Sequence, residues 1–171
     1  MRIPYLAPLS ITILASLSTL PAVAADSSLP NFAQVAPGLY RGAAPTPAGL
    51  AKVKSMGVAT VIDLRIAPKT VAKERAEVAK LGMTFVNLPM GSAPPTQKQV
   101  TTFLALVNAA GDKPVFVHCQ HGADRTGCMM GIYRVTHDKW SYAKAYSEMR
   151  HYGFKPYYTD LANAVKKRSA S

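Results

Sequence analysis

The feature that constrains this chain most is a ten-residue segment, 118–127, in which a cysteine and an arginine stand between two apolar runs. Its sequence is HCQHGADRTG. The run before it, 114–117, predicts a buried strand, and the run after it, 128–135, predicts an apolar helix. A tight loop between a strand and a helix N-terminus gathers backbone N–H groups, and the helix dipole adds partial positive charge. The sequence therefore predicts an anion site.

Two side chains of this segment suit a bound phosphate. Five residues separate Cys119 from Arg125, so a curled loop can bring both side chains to the same anion. A positive field favours the thiolate form of cysteine, which is the nucleophilic form. The guanidinium of Arg125 can hold two phosphate oxygens in a planar fork. The pair predicts nucleophilic attack by Cys119 on phosphorus.

The order Cys-x5-Arg-Thr-Gly resembles the phosphate loop of the cysteine-based protein tyrosine phosphatases, in their dual-specificity branch. The resemblance runs from about Val35 to Phe154 and is strongest at the loop. It implies an α/β fold, a thiol-phosphate intermediate, and neither metal nor cofactor. It also implies that Cys119, Arg125 and Thr126 are catalytic residues, and we expect the Thr126 hydroxyl to hydrogen-bond the cysteine sulfur.

The other residues of the loop are expected to bind the phosphate or to support the loop. Backbone N–H groups are expected to hold the equatorial phosphate oxygens. They belong to Gln120, His121, Gly122, Ala123, Asp124 and Arg125. We expect His118 to orient the loop from behind rather than to act as a base. The side chain of His121 is expected at the rim, where it either contacts substrate or is simply exposed to solvent.

The general acid is where the sequence departs from the family pattern. Many relatives carry an aspartate in the loop that here spans 89–95, but no acidic residue occurs between Glu77 and Asp112. Asp124, inside the phosphate loop, occupies a position where some lipid-phosphatase branches carry a proposed acid. We therefore expect Asp124 to be the acid. The alternative is that it only braces the loop by accepting backbone hydrogen bonds.

Apolar periodicity predicts strands and helices that alternate along the domain. The predicted strands cover 35–42, 58–65, 83–88 and 114–117. Helices are predicted after Thr46, over 69–81, after Thr96, after the phosphate loop, after Ser141 and from Pro156. This order predicts an α/β fold with a mostly parallel central sheet flanked by helices.

Four polar residues outside the loop are expected to be mainly structural. Tyr40 and Arg41 lie in the first predicted strand, although Arg41 could instead reach toward an acidic substrate. Asp63 and Arg65 end the second predicted strand and are expected to form an ion pair or to support loops. Ligands bind at that end of parallel strands, so a minor role in substrate binding is the alternative for these two residues. If Asp124 only braces the loop, the acid is left to Asp63, a water or the substrate itself.

The first 25 residues predict a signal peptide rather than part of the fold. Arg2 supplies a positive start, and the apolar stretch that follows is too short and too interrupted by serine and threonine to span a bilayer. Ala22 and Ala24 form a small-residue cleavage site. Residues 26–171 then form a single domain, exported to the periplasm or secreted, with no stable membrane span. The alternative is an N-terminal anchor helix that stays attached.

Cys119 and Cys128 are the two cysteines of the chain. An even count in an oxidising compartment is typical of a disulfide, but a bond here would consume the nucleophile. We therefore predict two free thiols, with Cys128 as a small buried residue of the helix. The alternative is a reversible Cys119–Cys128 bond that protects the nucleophile.

The charge and composition limit the possible partners. A hydrophobic content of 49% argues against a disordered chain, and the net charge of +11 falls only to +10 when Arg2 is removed. A basic domain favours anionic partners, but zinc-finger spacing and basic stripes interleaved with aromatics are absent, so nucleic acid is not expected.

The preferred function is a monomeric protein tyrosine phosphatase, dual-specificity-like, that acts on a phosphorylated protein. The alternatives are a phosphatase of a phosphoinositide, an inositol polyphosphate or a phosphorylated envelope sugar, and a phosphate-binding pseudophosphatase.

Overall fold

The computed structural model describes residues 26–110 and 112–169, in which a five-stranded sheet is covered by helices on both faces. The signal peptide predicted for 1–25 lies outside the described residues. The strands are β1 (Ala33–Ala36), β2 (Leu39–Gly42), β3 (Thr60–Asp63), β4 (Thr84–Asn87) and β5 (Val115–His118). The helices are α1 (Pro47–Ser55), α2 (Pro68–Lys80), α3 (Gln97–Asn108), α4 (Asp124–Thr136), α5 (Tyr142–His151) and α6 (Thr159–Ser169). Within these ranges, no helix combines the length and the apolar character that crossing a membrane requires.

The sheet is mostly parallel, which confirms the predicted fold class. Its strand order is β1-β2-β5-β3-β4, and the antiparallel pair is β1 with β2. Gly42 of β2 and Asp63 of β3 both pair with His118 of β5. Three parallel strands therefore end at the same edge, which is where ligands bind in sheets of this kind.

Alternate side chains of the central strands divide the core into two layers. Phe116 of β5 and Val61 of β3 pack with α1 and α2, whereas Val115, Val117 and Ile62 pack with α3 to α6. Because both faces are covered, these strands are continuously apolar. Each fully buried side chain of this size stabilises the fold by about 1.5–3 kcal/mol.

Three helices begin at the hydroxyl residues that the sequence indicates. The side chains of Thr46, Thr96 and Ser141 each accept a hydrogen bond from the backbone N–H three residues later. Thr96 also forms a capping box with Gln99. Each cap contributes about 1 kcal/mol, so the helix starts are determined locally.

The strand predicted over 35–42 is in fact a β-hairpin. Pro37 and Gly38 separate β1 from β2, and Gly38 has a φ of 70°. Proline has no backbone N–H to donate, and glycine adopts positive φ without strain, so the chain turns here. The turn adds an antiparallel edge strand that the sequence prediction missed.

The last helix begins at Thr159, three residues later than predicted. Pro156 instead lies in a turn, closed by a hydrogen bond of 3.1 Å from the Tyr158 N–H to the Lys155 carbonyl. The fixed φ of proline suits the second position of a β-turn as well as the first of a helix. The turn brings Lys155 next to the segment that follows β5.

Candidate active site

The predicted phosphate loop, 119–125, leads directly from the end of β5 into α4. Cys119 is the first residue after the strand, and Arg125 lies in the first turn of the helix. Between them, Gly122 has a φ of 68°, and a Cβ at that position would come within 2.5 Å of the backbone carbon of Gly42. Only glycine fits this position, so the loop is packed tightly against the end of β2.

Three consecutive carbonyl groups of the loop accept hydrogen bonds from residues around β2. The bonds are Ala44 N–H to Gln120 O (3.3 Å), Asn31 Nδ2 to His121 O (3.1 Å) and Arg41 Nη2 to Gly122 O (2.6 Å). Among the residues that the structure describes, none accepts a hydrogen bond from the N–H groups of 120–123. The first N–H groups of α4 also lack intrahelical partners. A row of N–H donors is therefore free to bind an anion.

A cleft of about 300 Å³ lies at the loop. It is lined by Ile66, Gly91, Ser92, His121, Asp124, Arg125, Lys155, Tyr158 and Leu161. Among the described residues, the Arg125 side chain makes one hydrogen bond, a long one of 3.4 Å from Nη1 to the Met90 carbonyl, so its guanidinium can turn toward a ligand. Cys119 is only 2% exposed and is not among the residues that line the cleft.

Asp124 lines the cleft next to Arg125 and also braces the chain. Its Oδ1 accepts a hydrogen bond of 2.9 Å from the backbone N–H of Lys155. This agrees with the bracing role, although the donor belongs to the turn before α6 rather than to the loop. Asp63, the alternative acid, is fully buried and does not line the cleft. The geometry therefore favours Asp124 over Asp63 as the carboxyl that can meet a leaving group.

A buried ionic network lies behind the loop. The Arg65 guanidinium is 2.9 Å from Asp63 Oδ2 and 2.5 Å from Glu74 Oε2. The ring nitrogens of His118 lie 2.7 Å from Glu74 Oε1 and 3.3 Å from the carbonyl of Cys119. His118 thus lies between Glu74 and the first residue of the loop, where it can orient the loop, and the Asp63–Arg65 ion pair is confirmed.

In the same network, the side chains that could ligate a metal ion already surround a guanidinium. Asp63, Glu74 and His118 offer ligand atoms within 4.8 Å of one another, but Arg65 already bonds both carboxylates. Burial lowers the pKa of Arg65, but its hydrogen bonds to Asp63 and the charge of Glu74 more than compensate and raise the pKa. A bound cation would have to displace this guanidinium.

Glu74 was missed by the sequence analysis. It lies on the buried face of α2 with Val71 and Val78. A glutamate at that helical spacing is a detectable signal, because an acidic residue on an apolar face needs a partner.

The hydroxyl of Thr126 differs from the expectation. Its Oγ1 is buried and forms no hydrogen bond with any described residue, so the expected bond to the Cys119 sulfur is not made in this state. A buried group without a partner costs about 1–3 kcal/mol.

Both cysteines are free, which agrees with the prediction of two thiols. The Sγ of Cys128 donates a hydrogen bond of 3.4 Å to the carbonyl of Leu161 in α6. Burial raises the pKa of the Cys128 thiol to about 12. Cys128 is therefore an unreactive packing residue, and the structure does not favour the alternative of a protective disulfide.

Asn31 and Arg41 contact the loop in ways that the sequence did not indicate. Asn31 Nδ2 also donates to the carbonyl of Tyr152 at 3.1 Å, and the Arg41 guanidinium lies 3.9 Å from the centre of the Tyr152 ring. Because Arg41 is fully buried behind the loop, the alternative in which it reaches an acidic substrate is wrong. Tyr40 stacks on Phe32, which fits the structural role expected for it.

Comparison with known proteins gives three matches that bear on this site. The model of a family described as DSP-PTPase phosphatase fused to NAD+ kinase matches residues 15–167. The dual specificity protein phosphatase TpbA of Pseudomonas aeruginosa is 31% identical over 134 residues, which cover 78% of this chain and 59% of TpbA. The inositol diphosphatase DSP3 of Arabidopsis thaliana is 27% identical over 110 residues, 61% of this chain and 53% of DSP3. The chain thus spans less than two thirds of the length of these curated relatives.

The fold comparison agrees with the sequence matches. A crystal structure of P. aeruginosa TpbA in complex with phosphotyrosine is similar with a TM-score of 0.68 and 25% identity, over 87% of this chain and 95% of that one. The family match covers most of the chain, and TpbA is related to it over more than three quarters of its length. The chain therefore belongs to the DSP-PTPase family, the dual-specificity branch of the cysteine-based protein tyrosine phosphatases.

Proposed function

We propose that this protein hydrolyses phosphate monoesters through a thiol-phosphate on Cys119, and that phosphotyrosine in proteins is its preferred substrate. The observation that carries the proposal is the loop 119–125, whose carbonyls are bonded from behind while its N–H groups remain free. Family membership and the complex of TpbA with phosphotyrosine support it.

The chemistry follows from the position of each group. The Cys119 thiolate attacks phosphorus, and the bond between phosphorus and the ester oxygen breaks as the leaving oxygen takes a proton from Asp124. Backbone N–H groups of the loop and the Arg125 guanidinium hold the three equatorial oxygens. Water then attacks the thiol-phosphate, which releases inorganic phosphate and restores the thiolate. Thr126 is expected to stabilise the sulfur when it is charged.

The cleft walls favour an aromatic phosphate ester. Ile66 is 60% exposed and lines the cleft together with Tyr158. These apolar surfaces can contact the ring of phosphotyrosine, whereas an inositol polyphosphate offers only charged and polar groups. Lys155 and Arg125 favour the competing hypothesis of a small, highly phosphorylated substrate, which the similarity to DSP3 also supports.

A substrate panel tests this proposal. We expect purified protein to hydrolyse p-nitrophenyl phosphate, with a higher kcat/KM for phosphotyrosine peptides than for phosphoserine peptides, inositol hexakisphosphate or a diphosphoinositol polyphosphate. A higher kcat/KM for the inositol compounds would instead identify the protein as a phosphatase of small, highly phosphorylated substrates. Binding without turnover of any ester would indicate a pseudophosphatase.

Asp124→Asn tests the general acid. If Asp124 protonates the leaving oxygen, the variant should hydrolyse alkyl phosphates about 10²–10⁴-fold more slowly. p-Nitrophenyl phosphate, whose leaving group needs no proton, should be affected far less, and the alkaline limb of the pH–rate profile should flatten. The matched control is Asp160→Asn, which removes an exposed carboxylate of the first turn of α6. Equal losses for both leaving groups would show that Asp124 only braces the chain.

We also propose that residues 1–25 direct export and are removed after Ala24 or Ala25, and that the mature domain acts as a monomer in the periplasm or outside the cell. N-terminal sequencing of the protein from fractionated cells tests the cleavage. An intact N-terminus on a membrane-bound protein would instead indicate the anchor.

A further inference from the structure

We propose that Arg41 is a positioning residue of the phosphate loop, which holds the Gly122 carbonyl away from the bound anion and stabilises the Cys119 thiolate with a buried charge. This inference rests on the proposed role of Cys119 as the nucleophile. It concerns a residue in a neighbouring strand, well outside the loop motif.

The first step is geometric. Arg41 is fully buried, and its Nη2 donates to the Gly122 carbonyl at 2.6 Å. The Arg41 backbone lies in β2 beside Val117 of β5, immediately before the strand end. Because the guanidinium extends from a strand inside the sheet, it is a rigid support for a loop residue that has left-handed backbone geometry. Without this donor, the carbonyl can rotate toward the phosphate oxygens and repel them.

The second step concerns charge. Arg65 and Arg134 each bond two carboxylates. Arg41, in contrast, bonds no carboxylate among the described residues, and its Nε and Nη1 find no acceptor there. Its main neighbour is the face of the Tyr152 ring. Burial lowers the pKa of Arg41 to about 10, so the group remains a cation at neutral pH. A buried cation without a paired anion is costly, and an anion in the loop offsets that cost.

The third step identifies the anion. The titratable groups whose charges act on Arg41 are Tyr152 and Glu148 at the end of α5, Arg134 of α4, and Cys119, which begins the loop whose Gly122 carbonyl Arg41 bonds. Glu148 is already bonded to the Arg134 guanidinium through both carboxylate oxygens. Because Arg41 bonds no carboxylate among the described residues, the candidate anions to balance it are the sulfur of Cys119 and a phosphate bound in the loop. A nearby positive charge favours the ionised form of a thiol.

The test measures the ionisation of Cys119 directly. The absorbance of the thiolate is followed against pH, and the signal of the Cys119→Ser variant is subtracted. Because burial raises the pKa of Cys128 to about 12, Cys128 stays protonated throughout the titration. In Arg41→Met, we expect the midpoint of Cys119 ionisation to move up by about one pH unit. We also expect kcat/KM for p-nitrophenyl phosphate below that midpoint to fall at least about tenfold.

Two further variants separate this role from a purely structural one. Val53→Ala removes packing from the core layer on the opposite face of the sheet and should lower Tm without moving the midpoint. If Arg41→Met lowers Tm and leaves the midpoint unchanged, Arg41 only packs, and the inference is overturned. Arg41→Lys keeps the charge but loses the planar guanidinium. The midpoint of Cys119 ionisation should therefore move by less than half of its shift in Arg41→Met, while kcat/KM still falls.

These outcomes remain distinguishable from failure of the proposed function. A folded Arg41→Lys protein with wild-type kcat/KM would refute the positioning role even if Arg41→Met does not fold. Full activity of Cys119→Ser would instead refute the proposed nucleophile. The titration needs no turnover, so it tests the charge of Arg41 in either case.

Discussion

Cys119→Ser is expected to reduce turnover to less than about a hundredth of the wild-type rate while leaving the binding of phosphate esters largely intact. Serine preserves the loop, because three carbonyl hydrogen bonds and the Gly122 contact determine its shape and none of them involves the sulfur. A hydroxyl is a far poorer nucleophile than a thiolate at neutral pH. Steady-state kinetics with p-nitrophenyl phosphate measure the first effect, and calorimetry with a phosphotyrosine peptide measures the second.

Cys128→Ser is the matched control for this experiment. Its side chain is buried in α4 and donates to the Leu161 carbonyl, which a serine hydroxyl can also do. We expect turnover within about threefold of wild type, because an unreactive buried thiol takes no part in the chemistry. If Cys119→Ser kept more than about a hundredth of the activity, the cysteine mechanism would be wrong.

Arg125→Lys is expected to lower kcat/KM at least about a hundredfold, although it conserves the charge. The planar guanidinium can bond two phosphate oxygens at once, whereas an ammonium is a point charge on a flexible stem. Within the part of the chain that the structure describes, the one hydrogen bond of the Arg125 side chain is the long contact to the Met90 carbonyl, so little bonding is lost when the guanidinium turns to the anion. Kinetics with a phosphotyrosine peptide check this loss.

Arg150→Lys controls for the substitution itself. Arg150 lies in the last turn of α5 and is exposed to solvent, and its side chain donates to the carbonyl of Phe154. We expect its kcat/KM to stay within about threefold of wild type, as for most exposed substitutions. A similarly small effect of Arg125→Lys, alongside an inactive Cys119→Ser, would mean that the backbone N–H groups alone hold the phosphate.

The parts of the site that the sequence predicts are those whose determinants are adjacent in the chain. β5, the phosphate loop and the start of α4 follow one another without a gap, so an apolar run, a cysteine, a glycine and an arginine indicate them together. The helix caps at Thr46, Thr96 and Ser141 are local in the same way. The two ends of the domain were less predictable, because proline suits turns and helix starts equally.

The parts that the sequence does not predict depend on contacts between distant segments. Asn31 reaches a loop carbonyl 90 residues later, and Arg41 reaches another 81 residues later. No local pattern distinguishes such an arginine from any other strand residue, since its partner is a backbone carbonyl. Glu74 was accessible in principle, because its place on the apolar face of α2 already requires a counter-charge.

The contact between Gly122 and the end of β2 has a practical consequence for engineering substrate preference. Gln120 and His121 are exposed, so their side chains can be exchanged without disturbing the scaffold. Position 122 tolerates no side chain, because even a methyl group would collide with the Gly42 backbone. A library that randomises positions 120 and 121 therefore samples new specificities on an intact loop. A library that also randomises position 122 consists mostly of variants whose loop cannot pack against the end of β2.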